Sequence, residues 1–201
     1  NIGRLVPQII YYFYTYVNMV NNKEITFGEK INFVVPTGNF GNILACYIAK
    51  QMGLYIDKIV CASNENNVLT DFFTTYTYDK NREFYLTNSP AMDILISSNL
   101  ERLLYIVTDN NEVLVKDLMD SLKLTGKFTL PKEYHAKLND FMACSITKDE
   151  TVENIKKSKL SQIHTFPYSI RKGTIAEKLE GHLSDEIKEE RAKGIESDRV
   201  R

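Results

Sequence analysis

Seven consecutive residues, Pro36-Thr37-Gly38-Asn39-Phe40-Gly41-Asn42, carry the strongest chemical suggestion in the chain. Two glycines within four residues permit positive φ and close backbone approach. Several N–H groups then converge on one anion, and the positive end of a following helix adds to them. Phosphate is the guest such a loop suits. A glycine turn is also what any strand-to-helix connection needs, so spacing alone leaves the anion site and the plain turn both open. The stretch lacks the Gly-Lys-Ser/Thr ending of a Walker A loop and the GxGxxG spacing of a dinucleotide turn, which argues against nucleotides.

Other reactive residue types point elsewhere. Cys46, Cys61 and Cys144 are far apart, in no CxxC or Cys/His cluster, and are expected to be small buried hydrophobes of a reducing cytosol rather than metal ligands. His164 stands alone beside an apolar run and is expected to be structural. Asn64 and Asn66 follow the carboxyl end of an apolar run, where open α/β sheets place ligands, but helix capping is the favoured reading for both.

The elements that must position the loop are legible in the hydrophobic pattern. Leu5, Ile9, Tyr12, Phe13, Tyr16 and Val17 recur at helical steps, predicting a helix over 5–19 with one wide buried face, ended by Asn21 and Asn22. Residues 31–35, apolar and β-branched between Lys30 and Pro36, predict a strand buried on both faces. Residues 42–52 predict a helix stopped by Gly53, and residues 58–62 a second buried strand, so 31–62 form one strand-helix-strand crossover. Further helices are expected at 66–73, 93–107, 112–122 and 132–142, with a turn at Gly126-Lys127-Phe128 and a polar, aromatic-rich connection at 74–88.

Composition sets the frame. At 201 residues, 43% hydrophobic and 25% charged, the chain is long enough for one good core or two small ones. With 25 basic against 26 acidic residues, nothing draws it as a whole to nucleic acid or an anionic membrane. The apolar stretch from Leu5 to Val20 is interrupted by Gln8, Thr15 and Asn18 and has neither a basic leader nor a cleavage site, so it reads as neither signal peptide nor membrane span. The opening at Asn1, without Met, is expected to be a truncation.

Four segments in order resemble threonine synthase. They are Ile2-Gly3-Arg4-Leu5-Val6-Pro7-Gln8, Val35 through Asn42, Ala62-Ser63-Asn64-Glu65-Asn66, and Ser89-Pro90-Ala91-Met92-Asp93-Ile94 through Ser98-Asn99-Leu100-Glu101-Arg102. The resemblance covers about residues 1–157. It implies a fold-type II pyridoxal-phosphate enzyme that converts O-phospho-L-homoserine and water to L-threonine and phosphate in the cytoplasm. The implied fold is α/β, an incomplete, open and mostly parallel sheet with helices on both faces. Gly38, Asn39, Phe40, Gly41 and Asn42 match the loop that cradles the phosphate of pyridoxal 5'-phosphate. Arg4 and Asn1 match a stretch by the substrate, a small phosphorylated amino acid whose phosphate and carboxylate suit bidentate Arg contacts. Ser98, Asn99, Glu101 and Arg102 match too, with Glu101 and Arg102 expected as structural ion-pair partners.

Two departures stand beside these matches. The family's Schiff-base lysine has no counterpart here, its position lying upstream of Asn1, and the His-Thr-Ala-Val-Ala segment near the cofactor ring is not found downstream. The chain alone is therefore expected to be inactive, with no catalytic residue of its own to name. Its alternative role is as a non-catalytic partner for the missing N-terminal half of the enzyme.

After about Lys157 the character changes. Residues 163–176 and 186–191 resemble the stretch closing the radical-SAM barrel of tRNA methylthiotransferases, without that family's CxxxCxxC motif. Residues 1–157 are thus expected to form the α/β domain, and 158–201 a foreign, charged tail, extended or helical, with little capacity for nucleic acid.

Overall fold

The computed structural model describes residues 2–87 and 89–147, together with 149, 150, 153, 184, 186 and 187. The chain divides into two compact units, Asn1–Thr147 and Lys148–Arg201. Apart from residues 186 and 187, the tail resemblance lies outside the described residues, as do His164 and Asn1.

Two sheets organise the first unit. Helix α1 (Ile2–Asn21) leads to β1 (Ile31–Pro36), α2 (Gly41–Gln51) and β2 (Ile56–Ser63), and β1 pairs with β2 in parallel, Val35 opposite Cys61 and Pro36 opposite Ala62. Strand β5 (Phe141–Ser145) adds to the other edge of β2, also in parallel, giving the order β1-β2-β5. Between them come α3 (Val68–Thr75), β3 (Thr77–Asp79), α4 (Leu100–Val107), α5 (Glu112–Thr125) and β4 (Lys127–Thr129), with β3 and β4 pairing antiparallel. This is the expected mixed α/β architecture with a mostly parallel main sheet, and the 31–62 crossover is as the pattern predicts.

The core explains why the sheet forms where it does. Val35, Ile59, Cys61 and Phe141 occupy one face and are buried with Ile43, Leu44 and Tyr47 of α2 and Leu69 and Phe72 of α3. Phe141 stacks on Phe73 at 4.9 Å and meets Tyr47 at 5.1 Å. The opposite face is open among the described residues: Val34 is 65% and Met142 54% exposed. The strand expected to be buried on both faces is therefore covered on one.

Two predicted helices, 93–107 and 132–142, are shortened or replaced, and one residue of α1 faces the other way. The 93–107 helix begins at Leu100, preceded by a single 3-10 turn at Pro90–Met92. The polar groups before it are engaged elsewhere: the Tyr78 hydroxyl donates to the Leu95 carbonyl and accepts the Ser97 amide, both at 2.9 Å. The 132–142 helix is a 3-10 turn over Lys132–Leu138 followed by β5, because the free edge of β2 offers a ladder and Phe141 a place among Tyr47 and Phe73. In α1, Val17 is 51% exposed rather than on the buried face.

Cys46 and Cys61 are buried as expected, whereas Cys144 on β5 is exposed. Burial pushes Cys61 up to about 11 and Cys46 up to about 12, from an ordinary 9.0. A thiol ionises more readily once unfolded, so this contribution to stability is complete below pH 9.0 and is lost as pH rises toward 11. Two outcomes follow: iodoacetamide at neutral pH modifies Cys144 but neither Cys46 nor Cys61 unless urea is present, read by mass spectrometry, and urea midpoints fall across that alkaline window.

Candidate functional site

The loop joining β1 to α2 is held from both sides. At its start Thr37 continues the ladder, its amide donating to the Ala62 carbonyl at 2.9 Å and its hydroxyl to the Val35 carbonyl at 2.9 Å. At its end Phe40 caps α2 in the left-handed region, φ 64° and ψ 4°. Positive φ in this turn therefore falls on a phenylalanine, not on the glycines that the sequence singles out for it. A bulky residue there costs roughly 1–2 kcal/mol. The Phe40 ring is 1% exposed, stacked near Phe73 and tilted against Phe141, and burying such a ring contributes about 1.5–3 kcal/mol, enough to hold the strained conformer.

The glycines serve close approach instead. A Cβ on Gly38 would stand 2.7 Å from the Ala91 carbonyl oxygen, and one on Gly41 would stand 3.1 Å from Asn39 Oδ1 and 3.3 Å from Asn99 Nδ2. The segment 89–99 is thus packed directly against the loop.

That segment also fixes which way the loop's amides point. Ser97 Oγ donates to the Gly38 carbonyl at 2.6 Å, and Asn99 donates twice to the Asn39 carbonyl, from its amide at 3.1 Å and from Nδ2 at 2.9 Å. The peptide bonds of the described residues are all trans. In a planar trans peptide the carbonyl and the following N–H point in opposite directions, so tying back the carbonyls of 38 and 39 turns the Asn39 and Phe40 amides away from the 89–99 wall. Among the described residues the amides of Gly38, Asn39, Phe40, Asn42 and Ile43 have no protein acceptor. Two others are spent: Thr37 on the ladder and Gly41 on Asn39 Oδ1 at 2.9 Å. An array expected to run from Thr37 to Asn42 is shorter at its start and interrupted at Gly41.

The electrostatics favour an anion. The first turn of α2 holds no acidic residue, although helix starts are commonly enriched in them, so the positive end of the helix is left uncompensated. The available donors are backbone amides, with no carboxylate in the loop.

The remaining candidates divide. Gly38 through Asn42 form one contiguous site. Arg4 lies exposed in the first turn of α1, where its carbonyl accepts Gln8 Nε2 at 3.1 Å, and Gln8 Oε1 comes within 3.8 Å of a Cβ placed on Gly41. Ser98 and Asn99 sit at the wall, and Arg102 donates to Asn99 Oδ1 at 2.7 Å. Among the described residues Arg102 makes no ion pair with Glu101, so the expected pairing is replaced by support of Asn99.

Asn64 and Asn66 do not cap α3, whose N-cap is Asn67 without a side-chain bond. Both Nδ2 groups donate to Asp93 Oδ1, at 2.6 and 3.2 Å, while Asp93 Oδ2 accepts the Thr87 amide. This part-buried net clasps the 85–93 segment to the end of β2. Ser97 and Tyr12, which donates to Asn42, were not singled out by sequence. Their roles arise from contacts across 59 and 30 residues, beyond the reach of local pattern.

Known proteins share this fold. No family model matches the chain. It is 42% identical over 160 residues to human "Threonine synthase-like 1", an alignment covering 79% of this chain and 22% of that protein. To the threonine synthase of Saccharomyces cerevisiae it is 40% identical over 178 residues, covering 84% of this chain and 34% of the other. Among solved structures, the crystal structure of the yeast threonine synthase superposes with a TM-score of 0.71 at 38% identity, over 78% of this chain and 32% of that one. The PLP-bound threonine synthase from Brucella melitensis gives a TM-score of 0.71 at 35% identity, over 77% and 32%.

The chain is threonine synthase-like, of the fold-type II class. It spans about a third or less of the length of these relatives. No described helix is long and apolar enough to cross a membrane, and no cluster of metal-ligating side chains occurs among the described residues.

Because the wall contact at Gly38 is backbone and cannot yield as a side-chain tip would, Gly38→Ala is expected to lower stability by about 1–3 kcal/mol. Urea unfolding against the unaltered chain reads the difference.

Proposed function

We propose that this threonine synthase-like chain supplies the phosphate-anchoring part of a pyridoxal 5'-phosphate site. The observation that carries the reading is the set of free amides at 38–40 and 42–43, oriented by the tied-back carbonyls of Gly38 and Asn39 at the uncompensated start of α2. The group fits them: a phosphate is dianionic, and each N–H donated to a charged oxygen contributes about 1.5–3 kcal/mol. Gly38, Asn39, Phe40, Gly41 and Asn42 would hold it, Gly41 through close approach rather than through its amide. When bound, the cofactor supplies the electron sink for carbanion chemistry at the substrate's carbon.

The residues present bind and orient. Ser97 and Asn99 fix the amides, Phe40 fixes the turn, and Arg4 stands on α1 as the cation for a substrate phosphate or carboxylate, with Asn1 beside it in sequence. The reaction we assign to the whole site is conversion of O-phospho-L-homoserine and water to L-threonine and phosphate. No residue here matches the family's Schiff-base lysine, so we propose that the chain by itself binds cofactor without turnover.

A second reading is favoured by one observation. Ile2, Val6, Ile10, Tyr14 and Val17 follow one another at helical steps along α1 and are 48–70% exposed. Contiguous apolar surface of this kind marks an interface. The chain then acts as one part of a split site, with the lysine-bearing part as its partner.

Calorimetry separates these statements. Pyridoxal 5'-phosphate is expected to bind reversibly and to be displaced by inorganic phosphate, while pyridoxal, which lacks the phosphate, does not bind. Equal binding of pyridoxal would contradict the anchoring role. Threonine formation by the isolated chain would contradict the absence of turnover, and activity appearing only on mixing with a lysine-bearing polypeptide would support the split site.

A further inference from the structure

Helix α1 is hydrogen-bonded to the start of α2 through the Tyr12 hydroxyl. Tyr12 is 7% exposed, its ring set edge-on to Phe33 at 5.0 Å, and its hydroxyl lies 2.6 Å from Asn42 Oδ1 and 3.0 Å from the Asn42 carbonyl. Asn42 is the second residue of α2, with its own amide among those left free. The shorter distance identifies the atom facing Tyr12. N–H···O contacts run at roughly 2.7–3.2 Å and O–H···O contacts at roughly 2.5–3.0 Å, so 2.6 Å belongs to a hydroxyl donating to an amide oxygen. The Asn42 carboxamide is therefore held with Oδ1 toward α1 and Nδ2 directed away from it.

Asn42 is exposed, and its Nδ2 has no acceptor among the described residues. A carboxamide carries a donor and an acceptor of similar size, and a freely turning one would present its oxygen to an anion as readily as its N–H groups. Burial, with the Cys46 thiol close by, holds the phenol protonated far above its ordinary range, so the proton for Oδ1 is always present.

We propose that Tyr12 is a positioning residue for the anion site: by occupying Asn42 Oδ1 it commits the side-chain N–H groups of Asn42 to the phosphate. The inference rests on the reading of residues 38–43 as a phosphate cradle and adds to it a side-chain donor whose orientation is set from a different helix. Tyr12 touches no ligand itself and acts through Asn42. The arrangement also couples the docking of α1 to anion affinity, since Tyr12 packs between α1 and the sheet through Phe33.

The test uses the full chain, inorganic phosphate as the probe and a double-mutant cycle of Tyr12→Phe with Asn42→Ala. Tyr12→Phe keeps the ring against Phe33 and removes only the hydroxyl. It is expected to weaken phosphate binding about five-fold in the unaltered background, the size of one lost hydrogen bond, and to have no further effect once Asn42 is Ala. Equal weakening in both backgrounds, or none in either, overturns the proposal.

A second measurement, made without ligand, keeps Tyr12 separate from the cradle. Nuclear Overhauser contacts are expected to place the Asn42 Nδ2 protons away from the Tyr12 ring, and Tyr12→Phe is expected to bring rotational averaging of that carboxamide. Nδ2 protons against the Tyr12 ring overturn the positioning role even where phosphate binds. If the unaltered chain ignores phosphate altogether, the cradle reading falls and the proposal falls with it; the ligand-free measurement then shows whether Tyr12 orients Asn42 for structural reasons alone.

Discussion

The site depends on Phe40 in a backbone conformation that a phenylalanine does not choose. At φ 64° the chain turns sharply between β1 and α2, and the strain is held by a ring enclosed between Phe73 of α3 and Phe141 of β5. The turn's shape is thus set by the aromatic cluster beneath it. A glycine at this position would adopt the same φ without strain but would have nothing to anchor it, and the amides on either side would be free to reorient. Pinning the centre of the loop to the core gives the backbone donors a fixed direction before any ligand arrives, the condition under which hydrogen bonds to an anion cost least reorganisation.

The same requirement accounts for the irregular stretch from 85 to 99. Its peptide groups are engaged with partners distant in sequence: Asn66 with the amide and carbonyl of Tyr85, Asp93 with the amide of Thr87, Tyr78 with Leu95 and Ser97, and Ser97 and Asn99 with the loop carbonyls. A helix over 93–99 would take those groups into its own ladder and leave the Gly38 and Asn39 carbonyls free to swing. Arg102, one turn into α4, braces Asn99 from behind. The wall is therefore a loop held by side-chain donors, and α4 begins where that work ends.

Much of this was legible in the chain itself. The 31–62 crossover follows from two apolar β-branched runs flanking a helix that ends at Gly53, and the glycine-bearing loop that joins the first run to the helix is legible as a turn. Several features were not. Gly38 and Gly41 permit positive φ, but the positive value lies on Phe40, whose tolerance comes from tertiary packing. Residues 141 and 142 read as the end of a helix because they continue an apolar spacing; a free strand edge on β2 overrides that local preference. Asn64 and Asn66 looked like caps, and their engagement with Asp93 spans 29 and 27 residues, invisible to any local window. Tyr12 was placed correctly on a buried face, yet its hydroxyl's destination could not be read from helical spacing.

The central claim is that the amides of residues 38–40 and 42–43 form one preoriented anion site. Nitrogen-15 edited proton spectra of the chain, recorded as inorganic phosphate is added, test it most directly. The account predicts that the signals of Gly38, Asn39, Phe40, Asn42 and Ile43 shift together along one binding curve, while Thr37 and Gly41, whose amides are already bonded within the protein, move least. Shifts confined to surface lysines and arginines, or a loop whose amides do not respond, would contradict it.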